Sequence, residues 1–325
     1  MSPNDKLLSV VIPVYNLERQ LPACVESVLE ATDERAEILL VNDGSSDGSK
    51  ELAESYQRSY PDRVVAITQE NSGPGATRNL GIERACGTYI SFIDGDDTVE
   101  REFFIKHLSA IESTGADVVV SGYKRIVDGK VDFMLKPEDI PWSRYLVTAP
   151  WAKIFSLDFI RRNNLRFSDS PIGEDVYFTT VAYSYADRVV TLPYTGYHYI
   201  CNSTSLTNTK STGLRADIDF TQLLDRINRD VRSRDRLLEY FFIKYGVHYL
   251  LYSGRLATKE RFMEEHERIF DWYRDNDVPL SFPMGGEVSS EFFKNRFAIN
   301  AYLALTKMNL IGAFASAYCK GAPES

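Results

Sequence analysis

The chain has 325 residues, of which 44% are hydrophobic and 26% charged, a globular composition with enough core for one large domain or two ordinary ones. Its 37 basic and 46 acidic residues give a net charge of −9, and without a strong local basic patch this balance excludes binding to nucleic acid duplexes. The four cysteines are far apart without C-x-x-C spacing, which argues against a zinc site or a disulfide framework and fits a reducing compartment.

The apolar runs of the chain are too short or too interrupted to act as membrane signals. The run at residues 7–14 lacks the basic leader and the small-residue cleavage site of a signal peptide. A membrane span needs roughly 18 uncharged apolar residues, and the longest candidates, 297–306 and 308–319, are separated by Lys307. We therefore expect neither a cleaved leader nor a transmembrane helix.

Strand and helix alternate through the first part of the chain. Continuous apolar, β-branched runs predict strands buried on both faces, at residues 9–15, 37–41, 64–68, 89–93 and 117–121. Apolar residues at helical spacing, or a glycine-proline start, predict helices at residues 21–29, 51–60, 73–84 and 103–111. This order predicts an α/β fold with a doubly wound, mainly parallel sheet flanked by helices.

The stretch GTYISFIDGDDTVE contains an apolar strand that ends abruptly in Asp94-Gly95-Asp96-Asp97. Clustered carboxylates repel one another, so their presence at one point suggests that a cation binds there. Residues two apart in an extended chain face the same side, which lets Asp94 and Asp96 converge. Oxygen ligands suit Mg²⁺ or Mn²⁺ that bridges to a diphosphate. The alternative is an acidic turn that caps the following helix.

Polar clusters follow three of the predicted strands, at residues 15–16, 42–43 and 94–97. Parallel strands of such a sheet bring their carboxyl ends to one edge, where ligands bind. We therefore expect these clusters to line one crevice. The first strand runs into VYNLERQ instead of a G-x-G-x-x-G sequence, which argues against a nicotinamide site.

A helix is predicted over residues 176–186, with Glu174 and Asp175 at its N-terminus. Acids in this position are explained either by capping and the helix dipole, or by a base presented at the mouth of the crevice. After this helix, residues 188–192 and 196–201 are expected to form a hairpin or two edge strands.

From about Gly213 the pattern becomes helical, with an aromatic stripe that includes Phe241 and Tyr245. We expect a sheet domain at residues 1–212 and a helical region at residues 213–325. The stripes lack clustered acids or histidines, so we expect these helices to support the sheet domain and to carry no chemistry. A weak dimer contact or a membrane contact is the further role that aromatic stripes suggest.

Six motifs occur along the chain in an order that is seen in one enzyme family. They are SVVIPVYN, ILLVNDGSSDGS, QENSGPGATRNLGI, SFIDGDD, the W-x-K of residues 151–153 and the GED of residues 173–175. Together they resemble bacterial family 2 glycosyltransferases with a GT-A fold, most closely those of capsule and exopolysaccharide synthesis. The resemblance covers about residues 8–207, and the C-terminal third is only loosely similar to tails in this family.

The resemblance implies how a nucleotide would bind. Pro13, Tyr15 and Asn16 are similar to the loop that contacts the nucleotide base. Asp43 resembles the aspartate that hydrogen-bonds the uracil imide. Arg78 resembles the residue that approaches the diphosphate.

The resemblance also implies a metal site. Asp94 is similar to the acid that contacts the ribose or the metal shell. Asp96 is similar to the direct ligand of Mn²⁺ or Mg²⁺ that bridges the two phosphates. His198 lies near a segment that often closes over the diphosphate, with a purely structural histidine as the alternative.

On the acceptor side, Asp175 resembles the general base and Glu174 the neighbour that lines the acceptor site. Trp151 and Lys153 fall where the family shapes the sugar pocket. A helix N-terminus and a nearby metal both depress the pKa of a carboxyl group. We therefore expect Asp175 to be a weak base that works mainly by position.

These residues predict an inverting, metal-dependent transfer of a sugar from a UDP-sugar to a hydroxyl of a glycan or a lipid-linked oligosaccharide, in surface polysaccharide synthesis. We expect a cytoplasmic protein in loose contact with the inner membrane face. Two alternatives stay open. One is a metal-dependent nucleotidyltransferase, which would not need the GED base, and the other is a non-catalytic nucleotide-sugar-binding module.

Overall fold

The computed structural model describes residues 6–170, 172–201, 213–215, 217–280 and 286–321. By its internal contacts the chain divides into two units, Met1–Asn202 and Ser203–Ser325. The boundary predicted between residues 212 and 213 borders a stretch, 202–212, that lies outside the described residues.

The first unit is built on a nine-stranded sheet. Its strands are β1 (Leu8–Val14), β2 (Ala36–Asp43), β3 (Val64–Gln69), β4 (Tyr89–Phe92), β5 (Thr98–Val99), β6 (Val118–Val127), β7 (Lys130–Leu135), β8 (Lys153–Ser156) and β9 (Val189–Cys201). Its helices in the described residues are α1 (Leu21–Ala31), α2 (Ser49–Ser59), α3 (Gly73–Arg84), α4 (Phe103–Thr114), α5 (Leu157–Arg162) and α6 (Glu174–Tyr185), with a 3-10 helix at Pro141–Leu146. The order across the sheet is β3-β2-β1-β4-β8-β6-β9-β5, and β7 pairs with β6 beside this path.

The first half of the sheet is parallel. β1 pairs in parallel with both β2 and β4, and β2 pairs in parallel with β3. β1 and β2 are buried along nearly their whole length, which is why their sequences are continuous apolar runs. The strands and helices predicted for this half are confirmed, and their carboxyl ends share one edge as expected.

Beyond β4 the sheet is mixed. β8 runs antiparallel to both β4 and β6, while β6 and β9 are again parallel. The predicted α/β fold with flanking helices is therefore confirmed, and its parallel character belongs mainly to the first half.

The prediction that residues 188–192 and 196–201 form a hairpin or two edge strands is wrong. Val189–Cys201 forms one strand, β9, which lies inside the sheet with β6 on one side and β5 on the other. Pro193 and Gly196 suggest an interruption, but the register against β6 only shifts there and pairing resumes beyond it. A proline, which has no N–H for the ladder, is tolerated at such a bulge.

The second unit is helical, as predicted. Its described helices are α7 (Phe220–Asp230), α8 (Arg236–Ser253), α9 (Lys259–Asp275), α10 (Phe293–Lys307) and α11 (Ile311–Tyr318), with short 3-10 turns at Gly254–Leu256 and Gly286–Val288. Aromatic side chains fill its core: the buried Tyr273 hydroxyl donates to the carbonyl of Phe242 at 2.9 Å, and the Tyr302 hydroxyl lies 3.0 Å from His266 Nδ1. Of the helices in the described ranges, none has the length and apolarity needed to cross a bilayer.

Candidate functional site

The acidic loop, Asp94–Asp97, follows β4 at the carboxyl edge of the sheet. Gly95 in this loop lies where a side chain would not fit. A Cβ atom there would lie 2.7 Å from Leu17 Cδ1 and 2.9 Å from the carbonyl oxygen of Pro13. The acidic loop is thereby held against the loop that follows β1, so two of the predicted donor-binding segments are in contact.

Arg78 joins the acidic loop to the start of α6. Its guanidinium donates to Asp94 Oδ1 at 2.7 Å and lies 3.4 Å from Glu174 Oε1, and its side chain is only 7% exposed. The Phe167 ring lies against it, 5.4 Å from the guanidinium carbon. The buried Nε of Arg78 has no hydrogen-bond partner among the described residues. A donor therefore remains for an anionic ligand, in a planar fork that suits phosphate.

Asp96 is half-buried, and its carboxylate oxygens remain available to a ligand. Burial, and then the charge of Asp94, raise the pKa of Asp96 to about 6, because two neighbouring carboxylates with no cation between them repel each other. Within the described residues, the donor to its carboxylate is its own backbone N–H.

These two acids fit a divalent cation that is bound together with a nucleotide. Over the described ranges, no group of three or more histidine, cysteine, aspartate or glutamate side chains is arranged to enclose a metal. Mg²⁺ and similar ions in phosphate-transferring sites need less, since one or two carboxylates, waters and phosphate oxygens complete their shell. Asp96, with Asp94 beside it, provides that smaller protein contribution.

Asp97 is fully buried and holds the acidic loop in place. Its Oδ2 accepts the Tyr197 hydroxyl at 2.5 Å, and its Oδ1 accepts the backbone N–H of Ile200 at 2.8 Å. The same hydroxyl of Tyr197 accepts the backbone N–H of Asp94 at 3.3 Å. β9 therefore fixes the loop through two side chains to which the sequence reasoning gave no role. Asp97, the third acid of the DGDD sequence, was the only sign in the sequence of this role. Its partner Tyr197 is far away in the chain and is revealed only by the fold.

The loop after β1 is tied to the loop after β2. Asn16 adopts a left-handed conformation, with φ 54°, which asparagine tolerates better than most residues. Its backbone N–H donates to Ser45 Oγ at 3.0 Å, and its Oδ1 accepts the N–H of Ser46 at 2.8 Å. Tyr15, in the same loop, is 50% exposed and presents its ring to solvent.

Asp43 is buried at the end of β2 and organises the start of α3. Its Oδ1 accepts from Gln69 Nε2 at 2.7 Å and from the N–H of Ser72 at 2.9 Å, and its Oδ2 accepts the N–H of Gly73 at 2.9 Å. A carboxylate offers about four lone-pair positions. One position therefore remains on Oδ2 for a donor from a ligand.

Asp175 is the second residue of α6, and its Oδ1 accepts the N–H of Val176 at 2.7 Å. Burial, and then the charge of Glu174, raise the pKa of Asp175 to about 6. Without a bound metal the expected depression of the pKa does not occur, because these two effects outweigh the Val176 N–H and the Arg78 charge, which act in the opposite direction. A carboxylate with this pKa is ionised at neutral pH and is a stronger base than an ordinary aspartate.

Lys153 is fully buried, and its ammonium donates to backbone carbonyl groups of the preceding loop. The distances are 2.8 Å to Val147, 2.6 Å to Ala149 and 3.3 Å to Trp151. The lysine thus shapes the loop that carries Trp151. Its ammonium is directed at that loop.

The Trp151 ring stacks on β9. Its centroid lies 4.6 Å from that of Tyr197 with an interplanar angle of 6°, and 5.9 Å from that of Tyr199. Thr179, one turn along α6 from Asp175, donates to the carbonyl of Thr148 at 2.5 Å and so ties this loop to α6.

His198 lies on β9 between Tyr197 and Tyr199, so its side chain points to the opposite face of the strand. Its Nε2 lies 3.4 Å from Glu100 Oε1, and Glu100 is paired with Lys124 at 2.5 Å. The rest of the segment predicted to close over the diphosphate, residues 202–207, lies outside the described residues.

The sequence profile described as "Glycosyl transferase family 2" matches residues 9–172, which is half of the chain. The chain belongs to this family. The predicted resemblance is therefore confirmed, and the matched range contains the acidic loop, Arg78 and the loops after β1 and β2.

Curated relatives agree with the family. The chain is 34% identical over 217 residues to the uncharacterized glycosyltransferase EpsJ of Bacillus subtilis, covering 62% of this chain and 63% of that one. It is 28% identical over 222 residues to the glycosyltransferase GlyA of Streptococcus pneumoniae, covering 62% of this chain and 32% of that one. The matches thus span less than two thirds of these relatives.

Solved structures show the fold. Residues 1–349 of S. aureus TarS, in complex with UDP-GlcNAc, give a TM-score of 0.70 at 20% identity, covering 95% of this chain and 90% of that one. The mannosyltransferase PcManGT of Pyrobaculum calidifontis, in complex with GDP-Man and Mn²⁺, gives a TM-score of 0.57 at 14% identity, covering 97% and 87%. At these identities the likeness concerns the fold, which is the predicted GT-A fold.

This family 2 chain brings most of the predicted site residues to one edge of its sheet. Contacts connect the loops of Pro13 and Asn16, the acidic loop and the start of α6, with Arg78 at the centre. Lys153 lies behind the Trp151 loop, and His198 faces away from Tyr197.

Proposed function

We propose that the protein transfers a sugar from a UDP-sugar to a hydroxyl of a glycan or a lipid-linked oligosaccharide, with inversion, in surface polysaccharide synthesis. The observation that carries this proposal is the Arg78 bridge, because it sets the acid of the nucleotide side, Asp94, beside the pair Glu174 and Asp175. Such a juxtaposition suits a reaction in which a diphosphate leaves from one side of a sugar while a hydroxyl attacks from the other.

The donor is proposed to be a uridine nucleotide held at the carboxyl edge. The free lone pair of Asp43 Oδ2 can accept the N3–H of uracil, whereas unprotonated cytosine offers an acceptor at N3. The exposed ring of Tyr15 offers an aromatic surface that can cover a base. TarS, which shares the fold, binds UDP and UDP-GlcNAc.

Asp96 and Asp94 are proposed to hold Mn²⁺ or Mg²⁺ against the diphosphate. When bound, such an ion neutralises the negative charge that develops on the leaving diphosphate. PcManGT was solved with Mn²⁺, which supports divalent metal use in this fold. Arg78 adds donors on the protein side through its unpartnered Nε.

Asp175 is proposed to be the general base. The acceptor oxygen forms a bond to the anomeric carbon, the bond from that carbon to the diphosphate oxygen breaks, and the hydroxyl proton moves to Asp175. One displacement of this kind inverts the anomeric configuration. Glu174 and Trp151 are proposed to line the acceptor and sugar pockets on either side of it.

We place this activity in the cytoplasm. The four cysteines are free thiols, which suits a reducing compartment.

The test is release of UDP from a panel of UDP-sugars, with a glycan acceptor, in the presence of Mn²⁺ and after its chelation. We expect UDP release that needs both metal and acceptor. Release of pyrophosphate from UTP and a sugar 1-phosphate, without UDP release from UDP-sugars, would support the nucleotidyltransferase, and binding of a UDP-sugar without any release would support the non-catalytic module. Equal affinity for CDP, GDP and UDP in calorimetry would contradict the role of Asp43.

A further inference from the structure

Helix α10 has two opposite faces. Its buried face packs Ile299, Tyr302 and Leu303 into the core of the second unit. The opposite face is apolar and exposed except at the half-buried Ala301. It consists of Phe293, Phe297, Ala301 and Ala304 with Met308 just beyond the helix, and we call this set the α10 face.

Large apolar side chains dominate this face although they contact water. Phe293 is 65% exposed, Phe297 60% and Met308 66%. The two phenylalanine rings stack on each other, with centroids 6.4 Å apart. Apolar residues grouped on one face in this way mark an interaction surface more often than isolated ones do.

The stretch of sequence that contains the α10 face carries only positive charge. Between Glu291 and Glu324 the sequence has no acidic residue, in a chain whose net charge is −9. The same stretch has four basic residues, namely Lys294, Arg296, Lys307 and Lys320. Glu291 itself is turned inward, since its side chain is fully buried and paired with Lys244 at 2.5 Å.

Two of the lysines flank the apolar stripe. At 100° per residue, Lys294 projects on one side of the line through Phe293 and Phe297, and Lys307 projects on the other side. An apolar face with aromatic residues, bordered by lysines, is the pattern of a helix that lies in the plane of a membrane surface.

A second copy of the chain would fit the α10 face less well than a membrane surface would. A twofold contact through this face would bring the same lysines of both copies together. The stretch supplies no acid to neutralise them. An anionic lipid surface complements both the apolar stripe and its basic border.

We propose that the α10 face binds the surface of a membrane that contains anionic lipid. Phe293 and Phe297 enter the boundary between headgroups and acyl chains, and Lys294 and Lys307 contact lipid phosphates. This inference goes beyond the proposed function and does not depend on it. It would hold for any activity of the first unit.

The experiment is co-sedimentation of the full-length protein with vesicles of phosphatidylcholine alone or of equal parts phosphatidylcholine and phosphatidylglycerol. We expect binding to the anionic vesicles that weakens as salt is raised. The double variant Phe293→Ser/Phe297→Ser should lose affinity by about tenfold or more, since two buried rings are removed. The variant Lys294→Gln/Lys307→Gln should lose about fivefold per lysine.

Matched controls are Tyr252→Ser and Lys259→Gln, which remove an exposed aromatic residue and an exposed lysine elsewhere in the second unit. Both should bind vesicles like the wild type. All variants should keep the wild-type thermal unfolding midpoint, because the changed side chains are exposed.

The proposal would be overturned if the anionic vesicles failed to bind the wild type, or if the Phe and Lys variants bound as well as their controls. It would also be overturned if sedimentation without lipid showed a dimer that the Phe variant abolished, since the face would then be a contact between copies.

Discussion

Tyr197 is the residue on which the geometry of the acidic loop depends most. Its hydroxyl donates to the buried Asp97 and accepts from the backbone of Asp94, so one oxygen atom connects β9 to both ends of the loop. A buried carboxylate that loses a donor costs more than an ordinary hydrogen bond is worth. The side chain itself does not need to touch a ligand for its loss to affect the proposed metal site.

We predict that Tyr197→Phe weakens binding of Mn²⁺ and UDP by roughly tenfold, because about 1–3 kcal/mol of support for the loop is removed. Calorimetric titration of UDP at saturating and at limiting Mn²⁺ measures this. Tyr123→Phe is the control, since Tyr123 belongs to the same aromatic cluster through Trp151. Equal losses in both variants would show that the effect does not come from the hydrogen bonds of Tyr197 to the acidic loop.

Asp96→Asn should weaken UDP binding and its dependence on Mn²⁺, because an amide is a poorer ligand than a carboxylate for a hard cation. Without metal, the same variant should be more stable than the wild type at neutral pH. The folded-state pKa of Asp96 is raised to about 6 from an ordinary value of 3.8. The wild type therefore loses stability as pH rises through this window, whereas asparagine does not.

Thermal unfolding of Asp96→Asn and the wild type, with a chelator, should show a difference that grows from about pH 4 to about pH 6 and is then constant. A difference that is independent of pH would contradict the raised pKa.

Asp175→Asn should lower the rate of transfer by about 10²–10⁴-fold, the usual contribution of a positioned general base. UDP affinity should stay near the wild-type value, since the proposed base would act on the acceptor and not on the nucleotide. At saturating metal and donor, the wild-type rate should fall at acidic pH as Asp175 takes up a proton, and a bound cation should move this fall below the pKa of about 6 that Asp175 has without metal. That dependence should be absent in the variant. Near-normal transfer by Asp175→Asn would leave the GED motif as a helix cap and point to an acceptor that is already ionised.

At the scale of elements, the sequence was most informative where strands are continuous apolar runs. β1, β2, β3 and β4 were predicted with the crevice at their carboxyl ends, because burial on both faces leaves a local pattern. The strands β5, β7 and β8 were not predicted, since two of them are short and β7 is mostly exposed. β9 was divided in two because Pro193 and Gly196 break the local pattern, while its pairing with β6 is set by residues far away.

In the candidate site, too, features with a local sequence pattern were predicted and features set by distant residues were not. The predicted acids and Arg78 were identified by motif, and the structure brings Arg78 to Asp94 and Glu174. The hydrogen bonds of Asp97 to β9 and the raised pKa of Asp175 depend on burial and on distant partners, which no local pattern reveals.

The loop before β8 gives a prediction for an element. Lys153→Met should destabilise the protein by about 3 kcal/mol, because its ammonium leaves buried carbonyl groups without their donor. Urea unfolding measures this. Lys106→Met, at an exposed lysine of α4, is the control and should change stability by less than about 0.5 kcal/mol. A small effect of both changes would mean that water replaces the ammonium.

At the scale of the whole molecule, the predicted nucleotide-binding residues all belong to the first unit. We expect a fragment of residues 1–212 to bind UDP in the presence of Mn²⁺, with an affinity within about tenfold of the full chain. Calorimetry, with circular dichroism to verify folding, is the measurement. A folded fragment that bound no UDP would show that the helical unit takes part in binding.

The hydrogen bonds between β9 and Asp97 also have a consequence for how the chain folds. Tyr197 lies 100 residues beyond the aspartate that it holds, and Glu174 lies 96 residues beyond Arg78. Contacts of such separation form late, because a long segment must first be closed. At roughly 5–20 residues per second, a nascent chain makes the acidic loop several seconds before its partner strand leaves the ribosome. We therefore expect the nucleotide site to mature after the parallel half of the sheet, so that UDP and metal can stabilise only chains in which β9 has already been added.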